Sequence, residues 1–232
     1  MFLVIAGLLA IVSAYTIIFV GVCTIKEGLA LLWAALLTLF IIKGRKRFFW
    51  LVLAANMLWT IFFGVLWLFP SGFESKVEWR YKWQVKFVTD IQKNGHADCF
   101  PDKLPNDASD YHMDYAPSFW QGTGHFCVRF KTSLQQLEQY EKEYSSQALY
   151  TIPLEDFKGM WDIQVEEINP KAIVSHGSDK SLMVEYDKEF WAGHEKGATV
   201  YVVSAVHNWN HPHSSAVIIN KKDKMVEFTH LG

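Results

Sequence analysis

The sequence predicts an α+β chain, with three N-terminal transmembrane helices followed by a soluble domain that has a mainly antiparallel sheet. Residues 1–69 are almost wholly apolar, and one basic cluster, 43–47, divides them. After Pro70 the composition becomes mixed, as in a folded soluble domain. Near the C-terminus, several β-branched or alternating segments follow one another, which is typical of paired strands. Together these observations predict two different parts within one chain.

The charges divide at the same place. The chain has 22 Lys and Arg and 24 Asp and Glu; residues 1–70 carry a net charge of +4 and the remainder −6. Phosphate contacts need a basic surface. The acidic balance of the larger part therefore excludes nucleic acid as the expected partner.

Residues 1–69 are predicted to form a three-helix membrane anchor. The runs 1–20, about 22–42 and 48–69 each approach the ~20 apolar residues that cross a bilayer. The compact basic loop at 43–47 favours the cytoplasmic side, although Lys and Arg near the opposite side almost balance it. We therefore expect a multi-pass cell-membrane protein whose C-terminal domain lies outside the cytoplasm. Its expected partners are membrane lipid and other membrane or envelope proteins.

Residues 70–94 are predicted to form an amphipathic connector helix. Its apolar residues are spaced by four, four, four, three and three positions, which places them on one helical face. They are Phe73, Val77, Tyr81, Val85, Val88 and Ile91. This stripe could lie on lipid headgroups or pack on the following domain, and a stripe this regular favours packing on protein.

Residues 95–232 are predicted to form the α+β soluble domain. A strand over 125–131 precedes a helix that runs to about residue 148. Ser133, with Gln136 three residues later, predicts a capping box at the start of this helix. Two weaker strand-like segments follow at 161–168 and 182–186. Three clearer strands are predicted at 199–206, 215–219 and 225–228, with a hairpin turn at 220–223.

One resemblance rests on two motifs and the last strand pair. The motifs are F-P-x-x-L-P-x-x-A at 100–108 and P-S-F-W-Q-G at 117–122; the strand pair begins at 216–220. Residues 95–232 thereby resemble a domain of uncharacterised Gram-positive lipoproteins and membrane-anchored proteins. That resemblance implies an extracytoplasmic domain and carries no activity.

The densest candidate site is a loop with three histidines. His207, His211 and His213 lie within seven residues between two predicted strands. Three imidazoles with an open fourth position form a known catalytic zinc arrangement, and His194 and His230 could approach if the fold allows. Against this, Pro212 rules out a helix across the loop, and the sequence offers no nearby carboxylate to orient the rings. A polar hairpin loop without bound metal is the preferred interpretation, and zinc is the alternative cofactor.

Two cysteines follow residue 94. Cys99 and Cys127 are 28 residues apart and could pair outside the cytoplasm, or remain two separate thiols. The sequence leaves this open. His125 shares a strand face with Cys127, but this spacing alone does not activate a thiolate.

Five further acidic residues indicate solvated strand edges rather than a site. They are Glu166, Glu167, Glu185, Asp187 and Glu189. The sequence has no G-x-S-x-G, phosphate-binding loop, H-E-x-x-H or Asn-x-Ser/Thr motif.

Three functions are compatible with this sequence. The preferred one is a membrane-anchored extracytoplasmic binding or assembly module without catalysis, because no catalytic constellation accompanies the predicted fold. The second is a metal-dependent hydrolase that uses His207, His211 and His213. The third is an accessory subunit of a membrane complex, for which Asn56 and Thr60 in the third predicted helix are weak support.

Overall fold

The structure is a computed structural model that describes residues 72–92, 99–118, 123–157, 162–175, 180–208 and 212–232, with five isolated positions before them. The chain separates into two compact units, 1–73 and 74–232. Nearly all described residues belong to the second unit, whose fold is as follows.

The predicted class, α+β with three transmembrane helices, is wrong. Most regular structure in the described residues is sheet, and helices are few. Among these residues, no helix is long and apolar enough to cross a membrane. The runs 1–20, 22–42 and 48–69 and the loop 43–47 lie outside the described residues, apart from the isolated positions. Within the described residues, Phe73–Ser75 carries the predicted helical spacing but pairs as a strand.

An eight-stranded sheet organises the unit. Its strand order is β1-β2-β3-β10-β9-β8-β4, and β6 pairs in parallel with β8 beside this path. The pairings among β2, β3, β10, β9, β8 and β4 are antiparallel. The strands are β1 Phe73–Ser75, β2 Ser109–Ala116, β3 His125–Lys131, β4 Tyr150–Pro153, β6 Ile173–Val174, β8 Thr199–His207, β9 His213–Asn220 and β10 Met225–Leu231. A separate two-stranded sheet pairs β5 Asp162–Gln164 with β7 Ser181–Met183.

Two α-helices cover one face of the large sheet, the helical face. These are α1, Tyr81–Gln92, which follows a 3-10 turn at Glu78–Arg80, and α2, Leu134–Gln147. Phe228 of β10 contacts Tyr140 and Tyr144 of α2 through edge-on rings. Tyr111 of β2 donates a hydrogen bond to Gln84 of α1. Large aromatic side chains therefore close this half of the core.

Residues 154–157, 162–175 and 180–198 cover the opposite face, the second face. They include a 3-10 turn at Leu154–Phe157 and the short helix α3, Lys188–Trp191. Trp191 and Val184 are fully buried there, against Val200, Val202 and Ile218 of the sheet. Alternating side chains of the central strands thus supply both halves of the core.

The predicted connector helix begins later than its stripe suggests. Phe73 and Ser75 are buried while Glu74 is exposed, which is the two-residue period of a strand next to β2. Helical structure starts only at Glu78, and Tyr81 and Val88 then face the domain with 2% and 0% exposure. The preferred expectation, packing of this stripe on its own domain, is confirmed for these two residues.

The start of α2 differs from the predicted capping box. Ser133 occupies the N-cap position, but its side chain makes no capping hydrogen bond. Asp107, from the loop before β2, instead accepts hydrogen bonds from the Ser133 N–H at 2.9 Å and the Thr132 hydroxyl at 2.8 Å. A distant carboxylate therefore replaces the local cap, which sequence spacing does not reveal.

The strand predictions near the C-terminus are confirmed with small shifts of their ends. Strand β3 occupies the predicted residues 125–131, and β8, β9 and β10 contain the predicted 199–206, 215–219 and 225–228. The turn after Asn220 is closed by its side-chain oxygen, which accepts from the Asp223 N–H at 3.0 Å. The weaker predictions at 161–168 and 182–186 contain only the short strands β5 and part of β7.

Candidate functional site

An open groove runs beside the outermost strand of the large sheet. It has a volume of about 570 Å³, within the usual range of 300–1,000 Å³ for ligand sites. Strand β4, with Tyr150 and Ile152, forms one wall, and β5 with the residues after it forms the other. The groove therefore separates the edges of two sheets.

Both walls present strand edges. Among the described residues, strand β4 ends the strand order of the large sheet and pairs along one edge, with β8. The Leu154 N–H donates a hydrogen bond to the Ala198 carbonyl. Hydrogen-bonded residues alternate along an antiparallel pair, so the peptide groups of Ile152 and Tyr150 also face β8. The peptide groups of Thr151 therefore point away from β8. Strand β5 likewise pairs with β7 along one edge.

Acidic and apolar side chains alternate around this groove. Asp156, Glu166 and Glu167 line it and are exposed, as predicted for the two glutamates. Ile152 and Ile163 line it as well and are half-buried. A strand edge with carboxylates and apolar contacts suits an extended segment that carries cations.

His207 holds the groove wall in place. Its Nε2 lies 3.0 Å from the Tyr150 hydroxyl, and its Nδ1 lies 2.9 Å from the Ser181 carbonyl oxygen of β7. The carbonyl can only accept, so Nδ1 carries the proton. The Tyr150 oxygen already accepts from the Asn169 N–H at 2.7 Å, so its own proton goes to Nε2. His207, 1% exposed, thus joins the large sheet to the small one.

The three predicted zinc ligands are not brought together by the described residues. His213 lies opposite Val206 in the β8–β9 pair, so it shares the face of Val206, whereas the adjacent His207 faces the other side. Both ring nitrogens of His207 are used by protein groups. His211 lies outside the described residues.

The two other candidate histidines diverge. His230 packs near His213, because both rings lie within 3 Å of the place that a Cβ on Gly232 would take, and it bonds to the Ser215 hydroxyl. His194 instead bonds to Asp223 at 2.9 Å. That contact lies at the far end of β9, roughly 23 Å from His213 at ~3.3 Å per strand residue. The described residues contain no group of three metal-binding side chains, and zinc binding stays a prediction.

A second polar cluster is buried on the second face, where the sequence indicates only strand edges. Glu227 of β10 is fully buried, and it accepts hydrogen bonds from Trp191 Nε1 at 2.5 Å and the Asp187 N–H at 3.0 Å. Burial raises the pKa of Glu227 to about 8, although its hydrogen bonds and Arg129 oppose this. At neutral pH the protonated form of the Glu227 carboxyl group is therefore favoured.

Charged partners surround Glu227 along strand β3. Arg129 forms an ion pair with Asp187 and a hydrogen bond with His112, and its guanidinium lies 5.2 Å above the Phe190 ring. Asp187 also caps α3 by accepting from the Phe190 N–H at 2.8 Å. These contacts attach residues 185–191 to the sheet. The role of Arg129 and Asp187 is therefore structural.

A histidine and a carboxylate lie at the rim of this cluster. His125 Nε2 is 2.8 Å from Asp114 Oδ2. This hydrogen bond raises the pKa of His125 more than burial lowers it. For Asp114, burial raises the pKa, but the bond and charge of His125 outweigh burial and lower it overall. The pair is therefore charged over a wider pH range than either residue alone.

The two cysteines remain separate thiols. Cys127 lies on the second face, where its Sγ is 3.2 Å from Thr229 Oγ1. Cys99 lies on the helical face, where its carbonyl accepts from the Tyr144 hydroxyl. The sheet stands between them, so they cannot form a disulfide without unfolding. Burial raises the pKa of Cys127, the opposite of what a nucleophilic cysteine needs.

Sequence reasoning missed the groove, Glu227 and Arg129. The groove depends on how two sheets meet, which no local pattern records. Glu227 stands opposite Arg129 across β10 and β3, and Cys127 and Thr229 form the next such pair on that face. The sequence does show polar residues at alternate positions of β3 and β10. The same pattern also indicates a strand face exposed to solvent, so it does not predict a buried cluster.

No family model, curated protein or solved structure matches this chain. The resemblance of residues 95–232 to an extracytoplasmic domain therefore stays a prediction. A function for this chain therefore rests on the geometry of its own residues.

Proposed function

We propose that residues 74–232 form a binding module that takes an extended, positively charged peptide segment into the groove beside β4. The observation that carries this proposal is the open groove of about 570 Å³ between two strand edges, lined by Asp156, Glu166 and Glu167. Such a segment would add a strand to β4 through the peptide groups of Thr151. Its cations would then lie beside the carboxylates.

Two further contacts support a rigid receiving wall. The Tyr150 hydroxyl is hydrogen-bonded to His207 and to the Asn169 N–H, so the position of the β4 edge is fixed without a ligand. A preformed edge lowers the ordering cost of binding. Ile173 and Val174 of β6 continue this side of β8 and are 60% and 55% exposed. They supply apolar surface for the end of a longer segment.

The test uses the full-length chain and fluorescent peptides of alternating Val and Lys, with a Val and Glu peptide for comparison. Fluorescence anisotropy should show binding of the lysine peptide and about tenfold weaker binding in Glu166→Lys or Glu167→Lys, since each reversal places like charges together. Glu138→Lys, an exposed reversal on α2, should leave affinity unchanged.

A backbone variant separates strand addition from charge attraction. Thr151→Pro removes the N–H that faces the groove and should weaken the lysine peptide without changing the exposed charge. Equal binding of both peptides, or full affinity in Glu166→Lys and Glu167→Lys, would overturn the proposal.

A further inference from the structure

The outer side of α1 carries an aromatic and basic surface, which we call the Trp79/Trp83 surface. Trp79 is 58% exposed and Trp83 is 38% exposed. They are four residues apart along an almost continuous helical path and lie about 40° apart around its axis. The inward side consists of Tyr81, Gln84 and Val88, each 2% exposed or less. The two indoles thus point away from the domain.

Cations surround the two indoles. Lys82 and Lys86 are exposed on the same side of α1, and Lys76 precedes it. The Arg80 guanidinium lies 5.2 Å from the Trp79 ring centroid, within cation–π range. The Trp79/Trp83 surface is therefore both apolar and positive.

Two nearby acidic residues, Glu74 and Glu78, are exposed and lie close to β2. Glu74 Oε2 lies 3.7 Å from His112 Nε2. The negative charge of Glu78 contributes, after burial, to raising the pKa of Tyr111, which places Glu78 near β2.

We propose that the Trp79/Trp83 surface docks on an anionic lipid surface. Tryptophan is favoured at the headgroup level of a bilayer, and each Lys or Arg near anionic lipid strengthens the attachment. Protein interfaces favour Trp but are depleted in Lys, so Lys82 and Lys86 beside two indoles favour lipid over protein. The stripe residues Tyr81 and Val88 lie on the opposite side of the same helix and are buried.

Fluorescence quenching tests this directly in the full-length chain. The protein is reconstituted with vesicles of phosphatidylcholine and phosphatidylglycerol, with or without bromine on the acyl chains. Subtracting the spectrum of Trp79→Phe/Trp83→Phe from that of the unchanged protein isolates the two indoles from the other eight tryptophans. Brominated lipid should quench this difference spectrum by at least half, while the variant retains apolar rings and the fold.

A charge-reversed variant tests the ionic part. Arg80→Glu/Lys82→Glu/Lys86→Glu should require at least about tenfold more anionic lipid for the same quenching of Trp79 and Trp83. Lys142→Glu on exposed α2 is the matched control and should behave as the unchanged chain. Near-UV circular dichroism confirms that each variant keeps its fold.

Three results would overturn the proposal. The first is a difference spectrum that brominated lipid leaves unchanged. The second is equal quenching on neutral and anionic vesicles. The third is protein self-association that depends on Trp79 and Trp83 with no lipid quenching, which would make a second copy of the chain the occupant.

Discussion

At the scale of single residues, most polar side chains in the described part of the core act by holding other elements. The sequence offers His207 as a metal ligand only in the alternative prediction, and its two nitrogens connect Tyr150 to Ser181. Glu227 holds Trp191 and the Asp187 N–H. A buried polar group costs more when its partner is removed than the bond itself contributes. Each of these residues therefore gives a sharp mutational test.

Replacing His207 by Ala should lower the free energy of unfolding by about 1–3 kcal/mol, because the Tyr150 hydroxyl and the Ser181 carbonyl lose their partner. Tyr150→Phe should cost less. The double variant should cost less than the sum, since both changes break one shared bond. Urea unfolding measures all three. Strict additivity would show that the His207–Tyr150 contact does not stabilise the fold.

Zinc calorimetry on the same His207→Ala variant addresses the metal prediction. Coordination by Nε2 or Nδ1 would break one of the two bonds of His207. We therefore expect no micromolar zinc binding that depends on His207, and no difference between the unchanged chain and His213→Ala. Tight binding lost in both variants and in His211→Ala would instead establish the three-histidine site.

Cys99 and Cys127 should resist modification in the folded protein. Their exposures are 5% and 6%, and burial raises the pKa of Cys127. Alkylation followed by mass spectrometry should label both only after denaturant is added, with no mass change on reduction. Rapid labelling of Cys127 in the native protein would contradict its placement on the second face.

At the scale of elements, sequence patterns predict the positions of strands better than they predict which residues contact one another in the fold. The alternation of β3 and the β-branched runs of β8 and β9 predict these strands, because each buries alternate side chains on a fixed face. The predicted start of α1 is wrong because Phe73, Val77 and Tyr81 satisfy a four-residue spacing even though the first lies in a strand. The cap of α2 comes from Asp107, 26 residues before Ser133, and local spacing cannot show this.

The Asp107 cap gives a testable difference between two substitutions. Asp107→Ala should lower the melting temperature of the domain, since it removes acceptors for the Thr132 hydroxyl and the Ser133 N–H. Ser133→Ala should have a smaller effect, because the Ser133 side chain makes no capping bond. Thermal scans by circular dichroism compare the two. The opposite order would restore the predicted capping box.

At the scale of the whole domain, the two faces of the sheet differ in chemistry. The helical face is closed by aromatic rings, whereas the second face buries Glu227 beside the half-buried Arg129–Asp187 ion pair. An apolar face can be predicted from alternation alone. A buried ionic cluster cannot, because its members come from β3, β10 and residues 185–191, and their pairing exists only after folding. The groove has the same origin, since it needs two sheets side by side.

The buried carboxyl group should make the domain lose stability as pH rises toward 8. The pKa of Glu227 is about 8 in the folded protein and near 4.5 when it is exposed. Between these values the folded state binds more protons than the unfolded state, so the free energy of unfolding falls as pH rises, by at most ~1.4 kcal/mol per pH unit. The raised pKa of His125 acts in the same direction, because its ion pair with Asp114 is lost as pH rises through that pKa. Urea unfolding between about pH 5 and about pH 8 measures the slope, which Glu227→Gln should flatten and His125→Asn should reduce less. If Arg129 and the two N–H donors outweighed burial, Glu227 would be ionised throughout this range, and its substitution would leave the slope unchanged.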